Sequence, residues 1–245
     1  MRLPPTSVEP TERRVRVRLG GAVVADSGRA RLLIEYGPGR LPTYYLPPED
    51  VTPGVLTGET TRDGARAWAV EAGGLRRPAA AWEHPAPTGE LAALAGLVTF
   101  DWHELDWYEE DERVVEHARD PHHRIDTLHS SRPVRVRVGG ELVAHSARPL
   151  LLFETWLPTR YYLPAEDVRT DLLEPSDTVS TCPYKGTARY WSVRVGDTLV
   201  RDAVWSYPDP IPENPKIKGL LCFFNERVDL SVNGVALDRP DTPWS

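Results

Sequence analysis

The 245-residue chain is poor in several residue types, and each shortage excludes something. It holds two cysteines, Cys182 and Cys222, too few for a disulfide framework in a chain of this size, so both are expected as thiols. No apolar run approaches the roughly 20 residues that span a bilayer, and the opening MRLPPTSVEPTERR lacks the apolar segment of a signal peptide, so a cytoplasmic protein without a membrane partner is expected. There are three lysines, Lys185, Lys216 and Lys218, and the formal charge is -7. That balance disfavours nucleic acid or an anionic membrane as the partner, because both reward clustered cations. Helix signals are scarce as well. Only TGELAALAGL (88–97) combines a cap with helical spacing.

What the chain does contain is itself, twice. Residues 15–36 (VRVRLGGAVVADSGRARLLIEY) align without a gap with 134–155 (VRVRVGGELVAHSARPLLLFET), and LPTYYLPPEDV (41–51) aligns with LPTRYYLPAEDV (157–168) after small length changes. Beyond that the offset is constant: Trp68 meets Trp191, Trp82 meets Trp205, Phe100 meets Phe223 and Asp106 meets Asp229. A unit of this length is a duplicated domain rather than a solenoid repeat. Two copies in one chain mimic a homodimer, so a monomer with an internal pseudo-twofold dimer is expected. The boundaries read as a tail over 1–14, a first domain over 15–116, a polar connector over 117–133, a second domain over 134–238 and a tail over 239–245.

Within each copy the period is that of strands. VRVRL alternates apolar and charged side chains, which gives one buried and one wet face. Gly20-Gly21, Gly73-Gly74, Gly139-Gly140, Gly196-Asp197 and Asn233-Gly234 separate such runs at the two-residue spacing of a hairpin, where glycine supplies positive φ. The fold class is therefore all-β, mainly antiparallel, with few short helices.

Four segments of the second copy, YYLPAEDV (161–168), DLLEPSDTVSTCPYKGTARYWSV (171–193), AVWSYPDP (203–210) and GLLCFFNERVDL (219–230), resemble the signature segments of the bacterial domain of unknown function 427 family. The first copy resembles a diverged member. The resemblance covers nearly the whole chain and carries no established reaction. It implies the β-tent fold, two antiparallel sheets meeting at a steep angle, here in tandem. Several proteins of that fold hold a structural zinc with two cysteine pairs. This chain has no such pairs, so no metal and no other cofactor is expected.

Candidate site residues concentrate in the second copy. Trp191, Trp205 and Tyr207 are expected to wall a concave pocket for a flat or cationic small molecule, since aromatic faces attract cations by roughly 0.5 to 2 kcal/mol each. Trp205 and Tyr207 lie two apart and share a strand face, whereas of Tyr190 and Trp191 one packs inward and the other looks out. The stiff turn CPYKG, with Pro183 and Gly186, presents Tyr184 and Lys185 at the pocket rim, and Cys182 fills the corner that aims them. The first copy reads TTRDG at the corresponding place and has His84 opposite Tyr207, which makes it the scaffold.

Two alternatives stand beside this reading. In one, Cys182 is the nucleophile of a thiol-dependent enzyme, with Lys185 stabilising the thiolate; the second copy then offers only the distant His145 as a base. In the other, the chain is a structural or protein-interaction module without a ligand. Remaining polar groups have plainer readings. Asp101, His103 and Glu104 belong to a solvated acidic segment, and His122, His123 and His129 to an exposed connector. Glu49-Asp50 and Glu166-Asp167 sit in turns, while Glu35 and Glu154 are candidates for inward-facing acids.

Overall fold

The structure is a computed structural model that describes residues 5–37 and 39–242. The chain divides between Asp120 and Pro121 into two compact units. Among the described residues each is built from eleven strands in the same order. The N-terminal unit runs β1 (Ser7–Pro10), β2 (Val15–Leu19), β3 (Ala22–Ser27), β4 (Arg31–Ile34), β5 (Thr43–Tyr45), β6 (Leu56–Arg62), β7 (Ala65–Ala72), β8 (Leu75–Glu83), β9 (Val98–Phe100), β10 (Asp106–Glu109) and β11 (Glu112–Val114). The C-terminal unit repeats them as β12 (Ile125–His129), β13 (Val134–Val138), β14 (Glu141–Ser146), β15 (Leu150–Glu154), β16 (Arg160–Leu163), β17 (Leu173–Cys182), β18 (Gly186–Val195), β19 (Thr198–Ser206), β20 (Leu221–Phe223), β21 (Asp229–Val232) and β22 (Val235–Ala236).

The expected alternation is plain in β13, where Val134, Val136 and Val138 are buried while Arg135 and Arg137 are exposed. All five two-residue turns join antiparallel strands as their spacing predicts. At Gly73, φ is +57° and an added Cβ would lie 2.6 Å from the Leu19 carbonyl oxygen, so a side chain there would displace backbone.

Each unit has a four-stranded sheet, β11-β10-β2-β3 in one and β22-β21-β13-β14 in the other. The larger sheet of the C-terminal unit is a continuous ladder of seven strands, β12-β15-β16-β20-β19-β18-β17. In the N-terminal unit the same path is split into β1-β4-β5 and β9-β8-β7-β6, linked by the bridge between Leu46 and Val98. The main core of each unit lies between its sheets. Val15, Val17 and Trp107 meet Leu32, Tyr44 and Phe100 in one. Val134, Val136 and Leu230 meet Leu151, Leu163 and Phe223 in the other.

Three local expectations change. Residues 1–14, read as a tail, contain β1, which pairs with β4. The connector 117–133 contains β12, which pairs with β15, and the buried residues His117, Ala118 and Asp120. In both places a polar strand pairs at a sheet edge and shows only weak alternation, so it resembles a linker. Third, the segment 88–97 forms a 3₁₀ stretch over Gly89–Leu94 without a side-chain cap at Thr88, and Leu94 alone is buried. So short a stretch does not offset the cost of nucleating an α-helix. No helix among the described residues is long and apolar enough to cross a membrane.

Candidate functional site

Strand alternation gives each large sheet a second face, and the two units use it differently. In the N-terminal unit that face holds a small cluster of Leu33, Tyr45 and Leu94. In the C-terminal unit it holds Leu150, Leu152, Tyr162, Ala188, Trp205, Tyr207, Ile217, Cys222 and Phe224. Two cysteine-bearing strands, β17 and β20, the Trp205 indole and the charged side chains of Arg160, Glu226, Lys185 and Glu154 converge there.

Of the three pocket walls expected from sequence, Trp205 and Tyr207 come together and Trp191 does not. Tyr190 pairs with Trp205 and Trp191 with Val204, so Trp205 and Trp191 point to opposite faces of one ladder. Trp191 packs against the main core, whereas Trp205 and Tyr207 belong to the second-face cluster. Trp205 and Tyr207 are also largely enclosed, at 7% and 5% exposure. The Trp205 Nε1 donates to the Tyr162 hydroxyl at 3.1 Å, and its ring centroid lies 4.4 Å from that of Phe224.

The cation expected from a ligand is already present as a side chain. The Arg160 guanidinium lies 5.4 Å from the Trp205 ring centroid and 5.7 Å from that of Phe224. It donates two parallel hydrogen bonds of 2.7 Å to the Glu226 carboxylate, whose Oε1 also accepts from the Thr242 hydroxyl. Both partners are almost wholly buried. The carboxyl of Glu226 is pushed up by burial but held below its ordinary range by Arg160 and Thr242.

Lys185 is not a rim group. Its side chain, 12% exposed, turns inward to an ion pair with Glu154, itself 4% exposed. The turn is held so that it can do this: Lys185 N–H bonds the Cys182 carbonyl, Ile211 N–H bonds the Lys185 carbonyl, and Asn214 Nδ2 donates to the Tyr184 carbonyl. On the other side of Glu154, His123 Nε2 lies 3.0 Å from Oε1, and the His123 ring stacks on Tyr184 with centroids 4.2 Å apart.

Electrostatics within this cluster are strongly coupled. Burial pushes the Glu154 carboxyl up, but Lys185 and His123 outweigh it and hold it at about 2. Lys185 is opposed by burial and raised by Glu154 and Cys182. Burial pushes the half-buried Cys182 thiol above its ordinary value despite Lys185, and pushes the enclosed Cys222 thiol up to about 12. Tyr207 is raised chiefly by burial.

The tip of the hairpin that carries Lys185 has no counterpart among the described residues of the other unit. With Trp68 set on Trp191 and Trp82 on Trp205, the pair Thr61–Arg66 falls on Val179–Arg189, and Arg62–Ala65 falls on Ser180–Ala188. Two residues, Asp63 and Gly64, therefore close the turn that the C-terminal unit closes with Thr181–Thr187. TTRDG is not the equivalent of CPYKG, as the sequence alignment has it. The latter is a tip that the shorter N-terminal hairpin lacks.

The remaining candidates are structural. Asp101 accepts the backbone N–H groups of His103 and Glu104 and pairs with Arg62, while Glu104 pairs with Arg77. Glu49 and Asp50 pair with Arg29, and Glu166 and Asp167 with Arg148, both from 3₁₀ turns. His122 and His129 are exposed. Among the described residues no group of three His, Cys, Asp or Glu side chains is placed to hold a metal ion.

Sequence reasoning missed three members of the site. His123 enters from the segment read as a connector. Arg160 is the extra residue of LPTRYYLP over LPTYYLP, and this length change was its signal. Glu226 lies in a segment whose counterpart has His103, so the acid appears in one copy only.

A family model described as Domain of unknown function (DUF427) matches the chain twice, over residues 7–111 and 126–234. The first match starts with β1 and the second within β12, the strands that sequence boundaries left outside the domains. No curated protein matches the chain.

Proposed function

The chain belongs to the domain of unknown function 427 family in both its halves, and from that premise we propose that its C-terminal unit is a small-molecule-binding module whose site lies at the CPYKG tip. The observation that carries this is the cluster of Lys185, Glu154 and His123, with Cys182 and Tyr207 beside it, on a hairpin extension absent from the N-terminal unit. Stability gives no reason to retain it. Buried ion pairs are replaceable by apolar side chains at little or no loss, and strongly perturbed titratable groups concentrate at functional sites. The N-terminal unit, with its smaller second-face cluster, serves as scaffold.

The site differs from an aromatic box for a cation. Arg160 already lies over Trp205 and Phe224, so the ligand is flat and neutral. Cys182 borders it as a thiol, because a raised pKa leaves little thiolate at neutral pH to attack anything. Ligand-observed NMR with a library of neutral ring-containing fragments tests the reading. Binders are expected for the parent chain and are expected to disappear in the double variant Glu154→Gln, Lys185→Met, which removes both buried charges together. Equal binding to parent and double variant, or none to the parent, would remove the site.

A further inference from the structure

The His123 ring is held with one nitrogen spent and the other idle. Its Nε2 faces Glu154 Oε1 at 3.0 Å, and an ionised carboxylate only accepts, so Nε2 carries the hydrogen. In the neutral ring Nδ1 is then a bare acceptor. That atom is buried and has no hydrogen-bond partner among the described residues, in a side chain 8% exposed. Stacking on Tyr184 and the bond to Glu154 together prevent the ring from turning to find one. Buried acceptors are nearly always satisfied, so this atom calls for a donor that the described residues do not supply.

The charge state of the surroundings narrows the donor. Glu154 is already compensated by Lys185, and Arg160 by Glu226, so an ionic group entering here would be buried without a counter-charge. A neutral donor avoids this cost. Resting on the binding site proposed above, we propose that the ligand is an amide whose N–H donates to His123 Nδ1.

The test uses three small probes on the full ¹⁵N-labelled chain: acetamide, N,N-dimethylacetamide, which has no N–H, and acetate. The His123 Nδ1 resonance is expected to shift toward a hydrogen-bonded acceptor with acetamide and to stay put with the other two. His123→Phe keeps the ring stack and removes the Nδ1 acceptor together with the Nε2 donor to Glu154, and should weaken acetamide binding at least about tenfold, the worth of one neutral hydrogen bond. If both amides move the Tyr207 and Trp205 resonances while Nδ1 stays unchanged, the donor rule is wrong and the site survives. If Nδ1 already has the shift of a water-bonded acceptor and no probe moves it, the vacancy is filled by water and the inference falls. A null response at every resonance also overturns it, leaving the binding site itself to the fragment screen.

Discussion

Both units lay an arginine over an equivalent indole, yet by different routes. In the N-terminal unit the Arg62 guanidinium lies 3.9 Å from the Trp82 ring centroid and pairs with Asp101, with the arginine side chain 36% exposed. In the C-terminal unit Arg160 comes from another strand, pairs with Glu226, and is 6% exposed. The contact over the indole is thus independent of which residue supplies it. What differs between the copies is the depth of charge burial: one copy keeps its ion pairs near water, and the other holds two of them inside, one of them through its longer hairpin tip.

The largest expected contrast comes from removing one partner of the deeper pair. Arg160→Ala leaves Glu226 buried without compensation and should destabilise the C-terminal unit by about 3–5 kcal/mol. Arg62→Ala, whose partner Asp101 keeps two backbone N–H donors, should stay below about 1 kcal/mol. Urea denaturation followed by hydrogen exchange in each unit separates the two. Comparable losses would erase the distinction between shallow and deep pairs.

Acid should act next, and on one unit first. The Glu154 carboxyl is depressed from 4.5 to about 2, so its contribution is fully present above pH 4.5 and lost as pH falls toward 2. The expected loss is roughly 3 kcal/mol. Hydrogen exchange across β15 and the β17–β18 hairpin should loosen in that window in the parent, with a flatter response in the variant Glu154→Gln, Lys185→Met. A parent profile as flat as the variant's would show that the pair contributes nothing.

A smaller difference is expected at the indoles. Trp205→Phe strands the Tyr162 hydroxyl in the interior and should cost about 1–2 kcal/mol. Trp82→Phe, at a half-buried position, should cost less than about 1 kcal/mol. Thermal melts of the two single variants decide. The smallest effect concerns the thiols. Both should alkylate slowly at neutral pH, Cys182 ahead of Cys222 through access alone. Rapid, selective labelling of Cys182 would revive the thiol-dependent enzyme.

Much of the fold was legible because its determinants are local. Alternation in VRVRV, glycine pairs at two-residue spacing and the long internal repeat each act within a few neighbouring residues or compare one stretch with another. The site was less legible. Trp205 and Tyr207 do share one sheet face, and Cys182 and Lys185 lie beside the buried Glu154, but Trp191 faces the other way, and Lys185 points opposite to the direction its turn suggested. Periodicity states that Tyr190 and Trp191 part company. It does not state which of them joins Trp205.

From its amino acids alone, this chain is determined to be a duplicated all-β protein with tight glycine turns and a core between sheets, since hydrophobic alternation and backbone sterics operate over a handful of residues. Only the tertiary structure decided that His123 meets Glu154 across 31 positions, that Arg160 meets Glu226 across 66, and that the lysine turns inward. Those contacts depend on strand order and on the length of one hairpin, and the side chains involved carry the same charge and shape whether they end in water or in the interior.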